Sequence, residues 1–379
     1  MSAADSILLH RCGPSCGPDC AEAVRGAIAR RDRQHVTIDF HCHAIVPAVE
    51  ALVADRPEKK AEQDRQGREM GAASVEHNRR VMLPAAGPRL TSPLRRLQDM
   101  DEMGVDIQVV SPSPSQYYYW AEERLAERIV RTGNEAIAAL CAEHPDRLQG
   151  LGSVALQHPA LAVEQLDHAV RGLGLRGVEI STRIVERELD HADFEPFWAK
   201  AEALGCVIFI HPFGTTLGER LDRFYLSNVI GQPLETTIAL SHLIFGGVLD
   251  RFPGLRIVAA HGGGYLPHYT GRSDHGRRVR PEAAGCAHPP SAYLKRIWFD
   301  TLVHGPDVLR GLIDRVGASQ LVVGTDYPFD MGAYDVHALV DAVPGLSAED
   351  RAAILGGNAA SLLAFAPVKG RSGLKDTQR

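Results

Sequence analysis

The chain of 379 residues predicts an α/β fold, a (β/α)8 TIM barrel with long βα-loop insertions, on three observations. Short β-branched runs alternate with longer amphipathic stretches from about residue 36 onward, the pattern of a parallel sheet wrapped by helices. The strand-like runs number eight, the closure number of such a barrel. Several of those runs end in histidine or aspartate, at the edge where barrel active sites are built.

Taken in order, residues 1–34 read as an N-terminal extension ending in a basic helical stretch, AEAVRGAIARRDR. The strand candidates are 36–40 (VTIDF), 107–111 (IQVVS), 149–154 (QGLGSV), 175–180 (LRGVEI), 207–211 (VIFIH), 257–261 (IVAAH), 297–300 (IWFD) and 321–326 (LVVGTD). Helix candidates between them include 121–143, 159–172, 194–204, 235–251 and 306–316. Pro159 and Pro306 stand where a first helical turn tolerates proline. Two intervals are too long for simple connections. Residues 44–93 hold a charged helical piece (RPEKKAEQDRQGREM) and a Pro-rich return; residues 262–296 form the other. Long βα-loops lie on the active-site face of a barrel, so both are lid or dimer candidates. One (β/α)8 barrel domain is therefore expected over 35–366, with a loose polar tail over 367–379.

Composition narrows the class. A hydrophobic share of 45% and a charged share of 23% are those of an ordinary globular protein. The net charge of -6 argues against nucleic-acid binding. No apolar run is long enough to span a bilayer, and the first residues do not read as a signal peptide. Seven scattered cysteines in a chain this long suit a reduced cytoplasm. Cys12, Cys16 and Cys20 recur every four residues, and His10 could complete a zinc set; a flexible tail with free thiols is the expectation.

The chemistry starts with His41 and His43. Residues two apart on a strand point the same way, so this pair aims two imidazoles into the barrel mouth. Alone, such a pair is often incidental. His211, His261 and Asp326 change that, because each follows an apolar run at the same edge. Polar groups buried there cost several kcal/mol unless paired or ligated. Glu179, near the end of strand four, is expected to be an inward polar residue bonded to its neighbours. His304 after strand seven is a loop histidine that could touch substrate. Tyr117, Tyr118, Tyr119 and Trp120 could line a pocket or pack a core. The glycines 262–264 lack the ending of a phosphate loop; their expected use is close backbone approach beside His261.

The stretches IDFHCH, FIHPFG, ETTIA, FGGVLDRFPGLRIVAAHGGGYLP and GTDYPF carry a resemblance from residue 36 to about 365. The chain resembles the amidohydrolase superfamily, in the branch of aminocarboxymuconate-semialdehyde decarboxylase and related aromatic-acid decarboxylases. The resemblance implies that His41, His43, His211 and Asp326 hold one divalent ion per chain, zinc first, with manganese, iron or cobalt as alternatives. It makes His261 the histidine that moves a proton at the substrate. It makes Arg272 an arginine that reaches the neighbouring subunit's site and grips a substrate carboxylate, which implies a homodimer. A first-loop arginine is also expected, with Arg79, Arg80 and Arg89 as candidates. The position that carries an indole in the semialdehyde decarboxylases is Asn228 here, and HPW has become HPFG. Phe213 and Asn228 would thus shape a different pocket for a small carboxylic acid. Decarboxylation of an unsaturated or aromatic acid is implied; hydrolysis of a lactone or amide, or hydration of a conjugated diacid, needs the same residues and stays open.

Overall fold

The computed structural model describes residues 35–365. The cysteine cluster at 12, 16 and 20 and the tail lie outside them. The eight expected strands are present: β1 (Ile38–Ala44), β2 (Ile107–Pro112), β3 (Leu148–Gly150), β4 (Gly177–Ile180), β5 (Val207–Ile210), β6 (Arg256–Ala259), β7 (Ile297–Asp300) and β8 (Leu321–Val322). They pair in parallel, β1-β2-β3 in one run and β4 through β8 in another. Two seams close the ring. Gly152 bridges Val178 between β3 and β4, and Asp39 bridges Val323 between β1 and β8.

The ring is filled from inside and clad from outside. Ile38, Phe40, Ile107, Val109, Leu151, Val207, Phe209, Val258, Ala260 and Val322 form one buried cluster, joined by Ala359, Leu362 and Leu363 from the C-terminal helical turns. The larger cluster lies between strands and helices. The helices explain themselves locally. Helix Glu123–Glu143 starts at Glu122, whose carboxylate accepts from the backbone N–H of Arg124 and Leu125. Helix Pro306–Val316 buries Leu309, Leu312, Ile313 and Val316, a stripe with helical spacing.

β1 departs from strict alternation. Its register against β2 shifts between Asp39 and Cys42. Phe40 and His41, adjacent in sequence, therefore both reach the ring of Phe209, at 5.7 and 5.0 Å between centroids. A bulge of this kind re-aims a side chain. Here it brings His41 from the outer face to the inner one.

Three expectations need correction. The helix expected over 235–251 runs as Gln232–Phe245 and resumes at Val248–Arg251, because Gly247 takes a left-handed turn at φ 70°. The Pro-rich return before residue 93 is helical over Leu83–Thr91, continuing directly from the helical turn Asn78–Met82, with Pro84 near its start and Pro88 inside it. The interval 262–296 is not simply a loop. It contains helix Leu266–Val279, which packs against helix Pro306–Val316 as part of the outer ring. Between 44 and 93, helix Pro57–Met70 does form from the charged piece and packs on the turns that follow β5.

The expected close approach at glycines 262–264 is present. All three have positive φ, and a Cβ on Gly264 would lie 2.0 Å from the Pro233 carbonyl oxygen. Gly264→Ala is accordingly expected to lose at least ~2 kcal/mol of unfolding free energy, from backbone strain plus overlap. Gly271, mid-helix with nothing within 4 Å of its Cβ position, is the contrast. Gly271→Ala is expected to gain roughly 0.5–1 kcal/mol. Urea unfolding followed by circular dichroism checks both.

Candidate metal centre at the barrel mouth

Five strands deliver the polar cluster. β1 carries His41 and His43, the residue after β5 is His211, His261 follows β6, Asp300 ends β7, and Asp326 follows β8. His41 and His43 are fully buried, and His211 and Asp326 are each 7% exposed. One ligand-type atom from each of His41, His43, His211 and Asp326 lies within 4.8 Å of every other. His41 Nε2 is 3.1 Å from His43 Nε2, and Asp326 Oδ1 is 3.4 and 3.3 Å from those two nitrogens. Nitrogens ~2.0–2.1 Å from a tetrahedral ion stand ~3.3 Å apart, so these separations suit donors sharing one ion.

The donor chemistry fits as well. Both ring nitrogens of His211 are buried with no hydrogen-bond partner. An orphaned buried imidazole is costly unless something ligates it. His41 uses Nδ1 on Asp300 at 2.6 Å, which leaves Nε2 to face the cluster. His43 Nδ1 is 3.3 Å from Ser111 Oγ. The four residues form a cage that a divalent ion matches.

Charges point the same way. Burial works against a charged His41, but Asp300 and Asp326 outweigh it and push its pKa up to about 10. Burial alone would raise Asp326, yet His41 and His43 hold it well below the usual carboxylate range. Two carboxylates thus make this spot attractive to positive charge, whether a proton or a metal ion. His211 is held well below the ordinary imidazole range, by burial first and by His41 and His43 next. His261 is pushed down to about 4, by burial first and then by His41. It is neutral at physiological pH.

His261 stands against the cage without joining the four. Its ring centroid is 5.3 Å from that of His41 and 5.1 Å from that of His211. Its Nδ1 is sealed and unpartnered. Its backbone is left-handed at φ 56°, as is that of Asp326, also at φ 56°. Such strain costs of order 1–3 kcal/mol per residue and persists where surrounding bonds impose it. The His261 N–H donates to Asp300 Oδ2 at 2.9 Å, and the Asp326 N–H donates to the His41 carbonyl at 2.8 Å.

Glu179 is the bonded inward residue expected. It accepts from Ser111 Oγ at 2.5 Å and from the Tyr117 hydroxyl at 2.6 Å. Burial raises its pKa. Its Oε2 lies 3.6 Å from His43 Nδ1, behind that ligand and outside the four-residue set.

A cavity of about 340 Å³ opens beside the cage, not on it. Tyr117, Tyr119, Trp120 and Phe213 are among its walls, with Glu62, Arg65 and Glu69 from helix Pro57–Met70. Tyr117 links cavity to cage, because its hydroxyl bonds Glu179. Phe213 meets the Tyr117 ring edge-on at 6.1 Å.

Other sequence candidates lie elsewhere. Arg79 and Arg80 are exposed and pair with Glu76. Arg89 bonds the Asp99 carboxylate at 3.1 Å, a structural contact. Arg272 is exposed on helix Leu266–Val279. His304 is exposed in the loop after β7. Asn228 is half-buried in the turn Ser227–Gly231, where its N–H donates to the Tyr225 carbonyl. His242 is half-exposed, and its Nδ1 pairs with Asp190 Oδ1 at 3.0 Å. The residue that sequence reasoning missed is Asp300. The available signal was the one used for its neighbours, an acidic group ending an apolar run (IWFD).

Comparison with known proteins gives a consistent picture. Residues 38–365 match the amidohydrolase family. The chain is 34% identical to a 2-amino-3-carboxymuconate-6-semialdehyde decarboxylase of Dictyostelium discoideum, over 72% of this chain and 77% of that protein. Among solved structures, it superposes on a 5-carboxyvanillate decarboxylase from Sphingomonas paucimobilis with a TM-score of 0.76 and 25% identity, covering 88% of this chain and all of that one. A 5-carboxyvanillate decarboxylase from Novosphingobium aromaticivorans, solved with manganese and 4-hydroxy-3-methoxy-5-nitrobenzoic acid, shares the fold at a TM-score of 0.77 and 21% identity, over 88% of this chain and 97% of that one.

The cage makes a direct prediction. His211→Ala is expected to reduce metal content from about one ion per chain to a small fraction of that, by elemental analysis. Glu179→Gln is expected to leave about one ion per chain, since Glu179 is not among the donors. Two ions in the unaltered protein, one of them lost in Glu179→Gln, would overturn the one-ion reading.

Proposed function

We propose that this chain, which belongs to the amidohydrolase family, is a metal-dependent non-oxidative decarboxylase of an unsaturated or aromatic carboxylic acid. The observation that carries the reading is the convergence of His41, His43, His211 and Asp326 on one point, with the neutral ring of His261 against them. Decarboxylase relatives favour it over hydrolysis or hydration by the same groups. His41, His43, His211 and Asp326 would hold one divalent ion. Zinc is the first candidate for three imidazoles and a carboxylate, and manganese is the rival, being the ion in one solved relative.

When bound, the ion supplies Lewis-acid stabilisation of negative charge on a substrate oxygen. The remaining chemistry falls to side chains. A proton drawn from solvent first adds to the carbon that bears the carboxylate, the new C–H bond using electrons of the conjugated system. The bond to the carboxyl carbon then breaks, CO2 leaves, and the electron pair of that bond restores the conjugation. His261 is placed to relay the proton, being neutral, partly open to the mouth and held in a fixed conformation. The aromatic walls Tyr117, Tyr119, Trp120 and Phe213 suit a planar substrate beside the cage.

Arg272 enters only from a second copy. It sits one turn from Tyr269, which is 70% exposed, on the helix that begins beside Tyr265. The Tyr265 hydroxyl donates to the Val229 carbonyl, and Val229 and Phe224 are exposed too. An apolar patch around an exposed arginine suits a homodimer in which Arg272 grips a substrate carboxylate across the interface. A cytoplasmic setting is proposed with it, in keeping with free thiols at Cys42, Cys141, Cys206 and Cys286. Among the described residues, no helix is long and apolar enough to cross a membrane.

Two measurements test this reading. CO2 release is expected from at least one member of a panel of hydroxybenzoates and unsaturated diacids; turnover of lactones alone would move the enzyme to the hydrolase branch. His261→Ala is expected to keep about one ion per chain while losing at least ~100-fold in kcat. For the interface, Arg272→Ala is expected to lower kcat/KM roughly 10- to 100-fold, the worth of hydrogen bonds to a charged group. Full activity in a monomer, established by sedimentation, would remove Arg272 from the site.

A further inference from the structure

Asp300 is wholly buried, and its two oxygens receive four donors. Oδ2 takes His41 Nδ1 at 2.6 Å and the His261 N–H at 2.9 Å. Oδ1 takes the Gly262 N–H at 2.8 Å and the Leu302 N–H at 3.1 Å. We propose that Asp300 is the positioning residue that couples the two halves of the site, presenting His41 for ligation while locking His261 in its left-handed conformation. The inference rests on the reading above, in which His41 ligates and His261 relays the proton.

The geometry carries it in two steps. A neutral imidazole that donates from Nδ1 offers its lone pair at Nε2, and Nε2 of His41 is the atom 3.1 Å from His43 Nε2 and 3.4 Å from Asp326 Oδ1. Asp300 therefore selects the tautomer that can ligate. The same Oδ2 holds the N–H of His261, and Oδ1 holds the next one, so the turn carrying His261 hangs on this carboxylate. On the side facing β7 its polar anchor is Asp300, since the Gly263 and Gly264 N–H groups close back on Ala260 and His261 themselves; on the other side the Tyr265 N–H donates to Thr237 Oγ1 at 2.8 Å. Space for the arrangement is provided by Gly324, where a Cβ would lie 2.7 Å from Asp300 Cβ and 2.9 Å from His41 Cβ.

A carboxylate does what an amide cannot. If the amide nitrogen of Asn took the Oδ2 place, it would face two donors. His41 could answer by moving its proton to Nε2, which removes the lone pair the ion needs, and the His261 N–H would stay unpaired. If the amide nitrogen took the Oδ1 place, the Gly262 and Leu302 N–H groups would lose their acceptor. Either orientation damages one half of the site, and neither spares both.

The test is zinc affinity by competition with a chromophoric chelator, together with turnover at saturating zinc. Asp300→Asn is expected to weaken zinc binding about 10- to 100-fold, as loss of a carboxylate behind a histidine ligand does. With zinc saturating, kcat is expected to remain at least ~10-fold down, because the ion cannot restore the turn that carries His261. In a His41→Ala background, Asp300→Asn is expected to change zinc affinity less than ~3-fold; an undiminished loss there would mean general destabilisation and overturn the proposal. If Asp300→Asn does not fold, Gly324→Ala keeps the carboxylate but wedges a methyl between Asp300 and His41, and the same weakening is expected. Wild-type zinc affinity and kcat in Asp300→Asn would overturn the coupling alone. An unaltered protein that takes up no zinc or manganese would instead sink the metal reading and this inference with it.

Discussion

The site depends on the seam where the first strand meets the last. Phe40 N–H donates to the Val323 carbonyl at 2.7 Å, Asp326 N–H to the His41 carbonyl at 2.8 Å, and His43 N–H to the Tyr327 carbonyl at 2.8 Å. These bonds join residues almost 300 positions apart in sequence. They also interleave the ligands, because the chain that carries Asp326 pairs directly with the chain that carries His41 and His43. A barrel that failed to close here would open the inner core, which joins Ile38 and Phe40 to Val322, and would have no metal cage. The seam is reinforced from below by Asp39, whose carboxylate accepts from the Thr325 hydroxyl at 2.7 Å and from Gln108 Nε2 at 2.9 Å.

Given the seam, the electrostatics follow from what has been buried together. Six polar groups converge where water is largely excluded, and isolated charge there is expensive. Asp326 stands close to His41 and His43, and Asp300 to His41. What stays unpartnered are both ring nitrogens of His211 and Nδ1 of His261. A divalent ion at the cage would give His211 its partner. Glu179 does not compete for an ion, because two hydroxyls already donate to its oxygens and burial favours its neutral form.

Much of this was legible in the sequence, and the reason is physical. Alternation of β-branched runs with amphipathic helices reports a parallel sheet directly, so all eight strands were located within a few residues. Histidine and aspartate at the ends of such runs stand out because burial penalises them, and four of them do converge. Features that depend on contacts distant in sequence were less readable. The bulge in β1 leaves no mark on the composition of IDFHCH. The break at Gly247 lies in a stretch whose apolar periodicity continues through it. The Pro-rich return reads as a loop by composition, yet it is helical with Pro88 inside the helix. Asp300 was readable by the rule applied to its neighbours, but a carboxylate that only supports other residues resembles any strand-ending acid until its four donors are seen. The arginines of the first long loop were chosen by type alone. Their partners, Glu76 and Asp99, show them serving local structure.

The division of labour around the ring bears on how such a site changes its substrate. The polar cluster comes from the ends of β1, β5, β6, β7 and β8, with His41 and Asp300 tied by a hydrogen bond and His211 fixed through its backbone N–H. The neighbouring cavity is built from the segments after β2, β4 and β5 and from helix Pro57–Met70, through side chains such as Tyr119, Trp120 and Phe213. These walls touch the cage chiefly through Tyr117. The two departures from the family pattern, HPFG and Asn228, both lie in the segment after β5, and Phe213 is itself a wall residue. A change of ring size or substituent can be absorbed there without disturbing His211, only two residues away, because the His211 backbone N–H is already fixed to the Ile180 carbonyl at 3.0 Å. The strand holds the ligand, and the turn beyond it is free to vary. The cavity walls therefore belong to the β2, β4 and β5 loops, while the polar cage belongs to the seam and to the strand ends that Asp300 joins.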